Sequence, residues 1–467
     1  MEVTEKWTVG EIARAVGGQL NQEKYADTAV GGVHFDTRQL KPHDLFVPLV
    51  AARDGHDFVS QAIEHEAAAT FWNADVEGAP ENFPVIFVPD PEQAFNKLAQ
   101  YHLKKTKVKV VAITGSNGKT TTKDLTAGIL SQLYAVYKTQ ANLNNQIGVP
   151  KTILDMPLGT EVIVLEMGMD RPGEVAELSE MYRPDVAVVT MIGESHLEYF
   201  GSRENIAKHK MDIAKGLKPY GTLLYLADEP LLQARANLIP NTLTARTFGV
   251  KAPANFSGTA IKEYADHTTF KIKEDPHDAI WEIPVPGRYN VTNALAAIGV
   301  GRTLSLDWNE IRKGLTEASL TKNRLEWLEG IHGEKILNDA YNASPTSMKA
   351  ALNYFAHLET DRHKKVVIGD MRELGQNSAN MHAQLSQEVP FAAFDKIYLF
   401  GEEMRALQKV LMMNTKLNVE HFTHQDVLIQ TLKKELTAKD AVLFKSSLGT
   451  DLLSVVDVLK KVTAADD

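Results

Sequence analysis

The feature that most constrains this chain is an apolar run that ends in a glycine-flanked lysine: VKVVAITGSNGKTTTK, residues 108–123. Residues 108–114 are nearly continuously apolar, the pattern of a parallel strand covered on both faces. Gly115 and Gly118 let the backbone turn tightly, and a helical pattern follows over residues 119–133. Successive backbone N–H groups and the start of that helix make an anion site. In such a loop a lysine reaches the terminal phosphates and a threonine hydroxyl binds magnesium, roles that fall on Lys119 and Thr120. Gly115, Ser116, Asn117, Gly118, Lys119, Thr120 and Thr121 are therefore the expected nucleotide-binding set. The strict phosphate-loop pattern is not met, because Ile113 stands at its first glycine. A plain glycine turn with an exposed lysine is the alternative. Placement between a buried strand and a helix disfavours it.

A chain of 467 residues is too long for one core and implies two to four domains. Three α/β units are expected, over residues 1–105, 106–322 and 323–467. In the first, residues 45–49 and 84–89 read as strands and 91–103 as a helix. Residues 57–69 read as a second helix with Phe58, Ala62 and Ile63 on its apolar face. The second unit continues from the loop with strands at 161–165, 186–192 and 223–226, then a β-rich patch at 259–285. The helix NVTNALAAIGV follows. In the third unit KILND, KKVVIGD, KIYLF and AVLFKS alternate with helical segments, which implies a second parallel sheet. No G-x-G-x-x-G turn marks a dinucleotide site there.

Composition excludes several functions. There is no cysteine, so disulfides, thiolate zinc sites and cysteine nucleophiles are ruled out. A formal net charge of −10 disfavours non-specific nucleic-acid binding. The opening MEVTEKWTVGEI is not a secretory signal, and no stretch is apolar enough to insert in a membrane. The cytoplasm is the expected location.

Other positions carry chemistry with alternatives open. Glu166 ends the strand EVIVLE, where a carboxylate can hold magnesium or simply face solvent. His196, after VAVVTMI and GES, is a metal ligand, a base or a surface histidine. Lys210 lies on the apolar stripe of Ile206, Ile213 and Leu217. It either snorkels to water or is an enclosed amine; a neutral amine there reacts with carbon dioxide to give an oxygen-ligating carbamate. Asp339 and Asp370 end strands and either face a ligand crevice or cap the next helix.

Taken with FDTR (35–38), DGHDF (54–58), NLNNQIGVP (142–150), LEMGMDRPGE (165–174) and IGESHLEYFGSRENIAKHK (192–210), the loop closely resembles the Mur ligases. PGRYNVTNALAA (286–297), NDAYNASPTSM (338–348) and GDMRELGQNSANMH (369–382) extend the resemblance over the whole chain. It implies an α/β, three-domain ligase with a central P-loop ATPase domain and a C-terminal Rossmann-like domain. That architecture uses ATP and two Mg2+ ions to form an amide, acting as a cytoplasmic monomer. NLNNQIGVP, NDAYNASP and GDMRELG point to UDP-MurNAc-tripeptide and D-alanyl-D-alanine as the partners. By the same resemblance Asp36, Thr37 and Arg38 hold the UDP part, and Asn142, Asn144 and Asn145 lie near the reacting substrate. Asn293 lies at the adenine, and Arg324 and Asp339 bring the third unit onto ATP. Lys119, Thr120, Glu166, His196 and an N6-carboxylated Lys210 organise phosphates and metal.

Tyr289 replaces the family's usual histidine, and His209 replaces the alanine beside Lys210. FKSSLGTD stands where KGSR is usual, with Leu448 at the arginine, so no arginine contact carries over there; Lys445 remains. The competing expectations are a ligase adding the third amino acid, a folate-type ligase, and a nucleotide-gated binding protein.

Overall fold

The computed structural model describes residues 6–461; the opening MEVTE and residues 462–467 lie outside the described residues. Three larger sheets follow one another along the chain, and a two-stranded sheet of Trp7–Thr8 and Ala29–Val30 joins the first of them. The central one has nine strands, and Lys109–Thr114 lies inside it, between Val162–Glu166 and Val186–Val189. Both neighbours run parallel to it. The strand residues Val111, Ile113, Val164 and Val188 are fully buried, which is why these segments read as unbroken apolar runs. The β-rich patch forms three edge strands, Phe256–Glu263, Thr268–Ile272 and Ile280–Ile283, paired antiparallel with one another.

The third sheet has six strands and is not wholly parallel. Glu326–Glu329 returns antiparallel beside Lys335–Asp339 because only a short turn at residues 330–334 joins them. The first unit carries a five-stranded sheet beside the two-stranded one. Its expected helix at 57–69 is shorter and differently phased. Asp54 accepts the His56 N–H and starts a 3-10 turn, Gly55–Phe58; the α-helix is only Val59–Glu64. Val59 and Ala62 therefore face the core at 2% and 0% exposure, and Ile63 points outward at 38%.

One apolar core runs from the first unit into the central sheet, joining Trp7, Phe71 and Phe95 to Ile163 and Leu165. The helix Pro91–Thr106 lies in that shared core. The other face of the central sheet packs against Lys119–Leu130, Tyr289–Thr303 and Trp308–Thr316. The third unit has separate cores on the two faces of its own sheet. Among the described residues, no helix is long and apolar enough to cross a membrane.

The helix after the phosphate loop is held by a glycine contact. A Cβ on Gly128 would lie 2.7 Å from Gly314 O, and one on Gly314 would lie 2.5 Å from Gly128 O. Gly128→Val is therefore expected to destabilise the central unit by about 1–3 kcal/mol. A lowered thermal midpoint against wild type checks this.

Candidate active site

The chain places strands first on one side of Lys109–Thr114 and then on the other, so the loop falls where strand order reverses. Crevices at such points receive ligands. Two glycines shape the loop. Gly115 has φ +153°, and a Cβ there would meet Thr190 Oγ1 at 1.8 Å. Gly118 has φ +82°, and its Cβ would lie 2.3 Å from Asn293 Oδ1. The loop is braced from the neighbouring strand end: Thr190 Oγ1 donates to Asn117 O at 2.6 Å, and Ser116 N–H donates to Met191 O at 2.9 Å. Gly118 caps the helix Lys119–Leu130 without a side-chain hydrogen bond, which leaves its first N–H groups to a ligand.

Glu166 reaches the same crevice from the next strand and is 3% exposed. Its N–H donates to Thr139 Oγ1 at 3.0 Å. Its carboxylate accepts from Thr120 Oγ1 at 3.0 Å and from Asn144 Nδ2 at 2.9 Å. Lys119 folds back, with Nζ 2.9 Å from Gly115 O. Burial lowers the Lys119 pKa, and Glu166 opposes that shift.

Lys210 does not snorkel. It lies on the helix Arg203–Met211 and is 1% exposed. Among the described residues no hydrogen bond or ion pair engages its Nζ. Burial holds its pKa well below the ordinary lysine value, the charge of Lys119 lowers it further, and Asp170 and Glu166 work against both.

His196 has φ +61° and precedes the short helix Leu197–Phe200. Its Nδ1 is 2.5 Å from Glu373 Oε2 and 3.4 Å from Asp170 Oδ1. The closer contact lacks the angles of a hydrogen bond, and it is an ion pair only when the ring is protonated. The His196 ring holds the Glu373 carboxyl below its usual range. Among the described residues no three His, Asp or Glu side chains form a ready-made metal cluster.

Two cavities meet at the loop, of about 430 and 1280 Å³. Asn117, Gly118, Thr121 and Arg324 line both. The smaller also takes Ser116, Lys119, Thr120, Glu166 and His196, with Asn142, Asn144 and Asn145 on its wall. Asn145 has a local duty as well, accepting the Gly148 N–H at 2.8 Å. Asn293, Tyr289 and Asp339 line the larger cavity. Asn293 donates to Asn290 Oδ1 at 2.9 Å, and Asp339 pairs with Lys445 Nζ at 2.6 Å. Arg324 lies 4.4 Å over the Tyr341 ring. Lys210 sits behind the wall rather than on it. Asp36, Thr37 and Arg38 line neither cavity; Arg38 grips Asp36 at 2.7 Å, and Thr37 Oγ1 donates to Gln61 at 3.2 Å. Asp370 faces its own unit, accepting the Met404 N–H at 3.0 Å.

The third unit closes on the loop through polar contacts that the motifs alone did not reveal. Asn117 Nδ2 donates to Ser344 Oγ at 3.1 Å, and Thr346 Oγ1 donates to Glu194 Oε2 at 2.8 Å. The Glu198 N–H donates to Glu373 O at 3.1 Å. Glu194 and Thr346 are 152 positions apart, so no local pattern could pair them.

A phosphate loop at a switch point, roofed by a second α/β unit, makes this a nucleoside-triphosphate-binding α/β protein. Residues 113–301 match the Mur ligase middle domain, and residues 323–448 match the family described as Mur ligase, glutamate ligase domain. The chain is 40% identical to the UDP-N-acetylmuramoyl-tripeptide–D-alanyl-D-alanine ligase of Bacillus subtilis (strain 168), over 97% of this chain and 98% of that one. Identity to the ligase of the same name from Escherichia coli (strain K12) is 32%, covering 97% and 98% of the two chains. A MurF ligase from Thermotoga maritima in complex with ADP superposes with a TM-score of 0.78 at 27% identity, covering 91% of this chain and 96% of that one. The chain belongs to the Mur ligase family.

Gly118→Ala must adopt a left-handed conformation and displace Asn293, at a cost of about 1–2 kcal/mol or more. Binding of ATP, followed by calorimetry, is expected to weaken roughly tenfold or further.

Proposed function

We propose that this chain is an ATP-dependent ligase that joins D-alanyl-D-alanine to the terminal carboxylate of UDP-N-acetylmuramoyl-tripeptide. The observation that carries this is 40% identity, over nearly the whole length, to a relative named for that activity. The tripeptide carboxylate attacks the γ-phosphorus of ATP, giving an acyl phosphate and ADP. The dipeptide amine, having lost a proton, then attacks the acyl carbon, the amide forms and phosphate leaves. ADP, phosphate and UDP-MurNAc-pentapeptide are the products.

Gly115 to Thr121 cradle the phosphates, and Lys119 draws negative charge toward the leaving ADP. Asn293 holds the adenine side, and Arg324 and Asp339 bring the third unit onto ATP. Asn142, Asn144 and Asn145 border the reacting carboxylate. The donor chemistry at Thr120 and Glu166 fits magnesium: a buried carboxylate beside a threonine hydroxyl. Thr120 and Glu166 would hold one ion; Glu166, His196 and Lys210 carboxylated on Nζ would hold a second. Bound there, magnesium supplies charge neutralisation on the phosphate oxygens. The carbamate forms when the neutral Lys210 amine attacks carbon dioxide and releases a proton to water.

The first unit, residues 1–105, holds the UDP part through Asp36, Thr37 and Arg38. The second, residues 106–322, binds ATP. The third, residues 323–467, closes over it, shields the acyl phosphate from water and receives the dipeptide. The protein acts as a monomer in the cytoplasm.

With ATP and magnesium, phosphate release is expected with UDP-MurNAc-tripeptide plus D-alanyl-D-alanine. Faster ligation of lysine or diaminopimelate onto the dipeptide nucleotide would overturn the assignment. Lys210→Ala is expected to lower kcat by about 10²–10³-fold, and a small carboxylic acid to restore part of it. Acidification protonates the Lys210 amine and reverses carbamate formation. Activity lost on lowering pH in carbon-dioxide-free buffer should therefore return in part with bicarbonate; no response to bicarbonate would remove the carbamate from the mechanism.

A further inference from the structure

The dipeptide brings a carboxylate that does not react and must be held while its amine is delivered. Apart from His196, the smaller cavity is lined by three cationic side chains, Lys119, Arg324 and Arg372. Two are committed. Lys119 is folded onto the phosphate loop, and Arg324 stacks on Tyr341 where the two cavities join. Arg372 is exposed, and among the described residues no hydrogen bond or ion pair engages its guanidinium. The charge of Asp370 reaches it only at longer range. The rest of the charged lining, Glu166, Asp170, Glu174 and Glu373, repels a carboxylate.

The Arg372 backbone is pinned. Its N–H donates to Ser447 Oγ at 3.0 Å, Ser447 Oγ donates to Ala343 O at 3.1 Å, and the Ser447 N–H donates to Asp370 O at 3.1 Å. Ser447 thus ties the loops that follow three neighbouring parallel strands, Lys335–Asp339, Asp440–Lys445 and His363–Gly369. Arg372 stands at the carboxyl ends of those strands, where open α/β sheets take ligands. Leu448, next to Ser447 and on the same wall, offers no charge.

We propose that Arg372 receives the C-terminal carboxylate of the incoming dipeptide, an inference that rests on the ligase function above. A guanidinium donates two parallel N–H···O bonds to a carboxylate, which fixes orientation as well as affinity. The carboxylate is then held at the third unit and the amine faces the acyl phosphate.

The test compares D-alanyl-D-alanine with D-alanyl-D-alaninamide as acceptors for wild type, Arg372→Gln and Arg372→Lys. Wild type is expected to prefer the acid by roughly tenfold in kcat/KM. Arg372→Gln should lose most of that preference through a raised KM for the acid, and Arg372→Lys should regain part of it. An unchanged preference in Arg372→Gln, or equal losses with both acceptors, overturns the inference while the ligase function stands. Failure of wild type to ligate either acceptor overturns both.

Discussion

One buried carboxylate faces a buried amine, Lys210, and a half-buried one, Lys119, and the site is organised by that imbalance. Glu166 is 3% exposed and held by Thr120 and Asn144. It cannot balance charge on both Lys119 and Lys210 in a poorly solvated pocket. The burden falls on Lys210, which is more deeply enclosed and disfavoured further by Lys119. A lysine whose charge is disfavoured, and whose Nζ has no hydrogen-bond partner among the described residues, undergoes on the proposed function the reaction that gives it a negative one. On the proposed function that change turns a repulsive pocket into one with two anionic oxygen ligands, suited to hard divalent cations.

The two interfaces of the central unit differ in how much apolar surface they bury. Toward the first unit it shares a continuous apolar core, which holds the two together through burial. Toward the third unit, Tyr289 packs on that unit's core, but the contacts at the loop are polar: Asn117 to Ser344, Thr346 to Glu194, and His196 beside Glu373. Interfaces of that sort open and reclose at modest cost. This suits an enzyme that must admit three substrates and then exclude water from an acyl phosphate. The same closure brings Arg372 and Arg324 to the cavity that contains Lys119.

Local chemistry made the loop legible. A buried strand, two glycines and a lysine have few other uses together, and Glu166 was visible because it ends the adjacent strand. Lys210 was half legible: its stripe announced burial, but snorkelling was excluded only by the packing around it. Ile63 was misassigned because a 3-10 turn capped by Asp54 delays the α-helix and rotates its face. Glu326–Glu329 broke the expected parallel pattern because its turn is too short for a crossover. Asp170, Glu194, Glu373 and Arg372 were seen only as letters in motifs, since their partners or neighbours at the cavity come from distant parts of the chain. Asp36, Thr37 and Arg38 were assigned by resemblance, and their local contacts are with the first unit itself.

The central claim is that ATP activates a carboxylate before the amine attacks. UDP-MurNAc-tripeptide labelled with oxygen-18 in its terminal carboxylate tests it most directly. Mass analysis of the phosphate released during ligation of D-alanyl-D-alanine should show a labelled oxygen in step with each amide formed. Unlabelled phosphate alongside normal amide formation would contradict an acyl phosphate and, with it, the role assigned to the loop, Glu166 and Lys210.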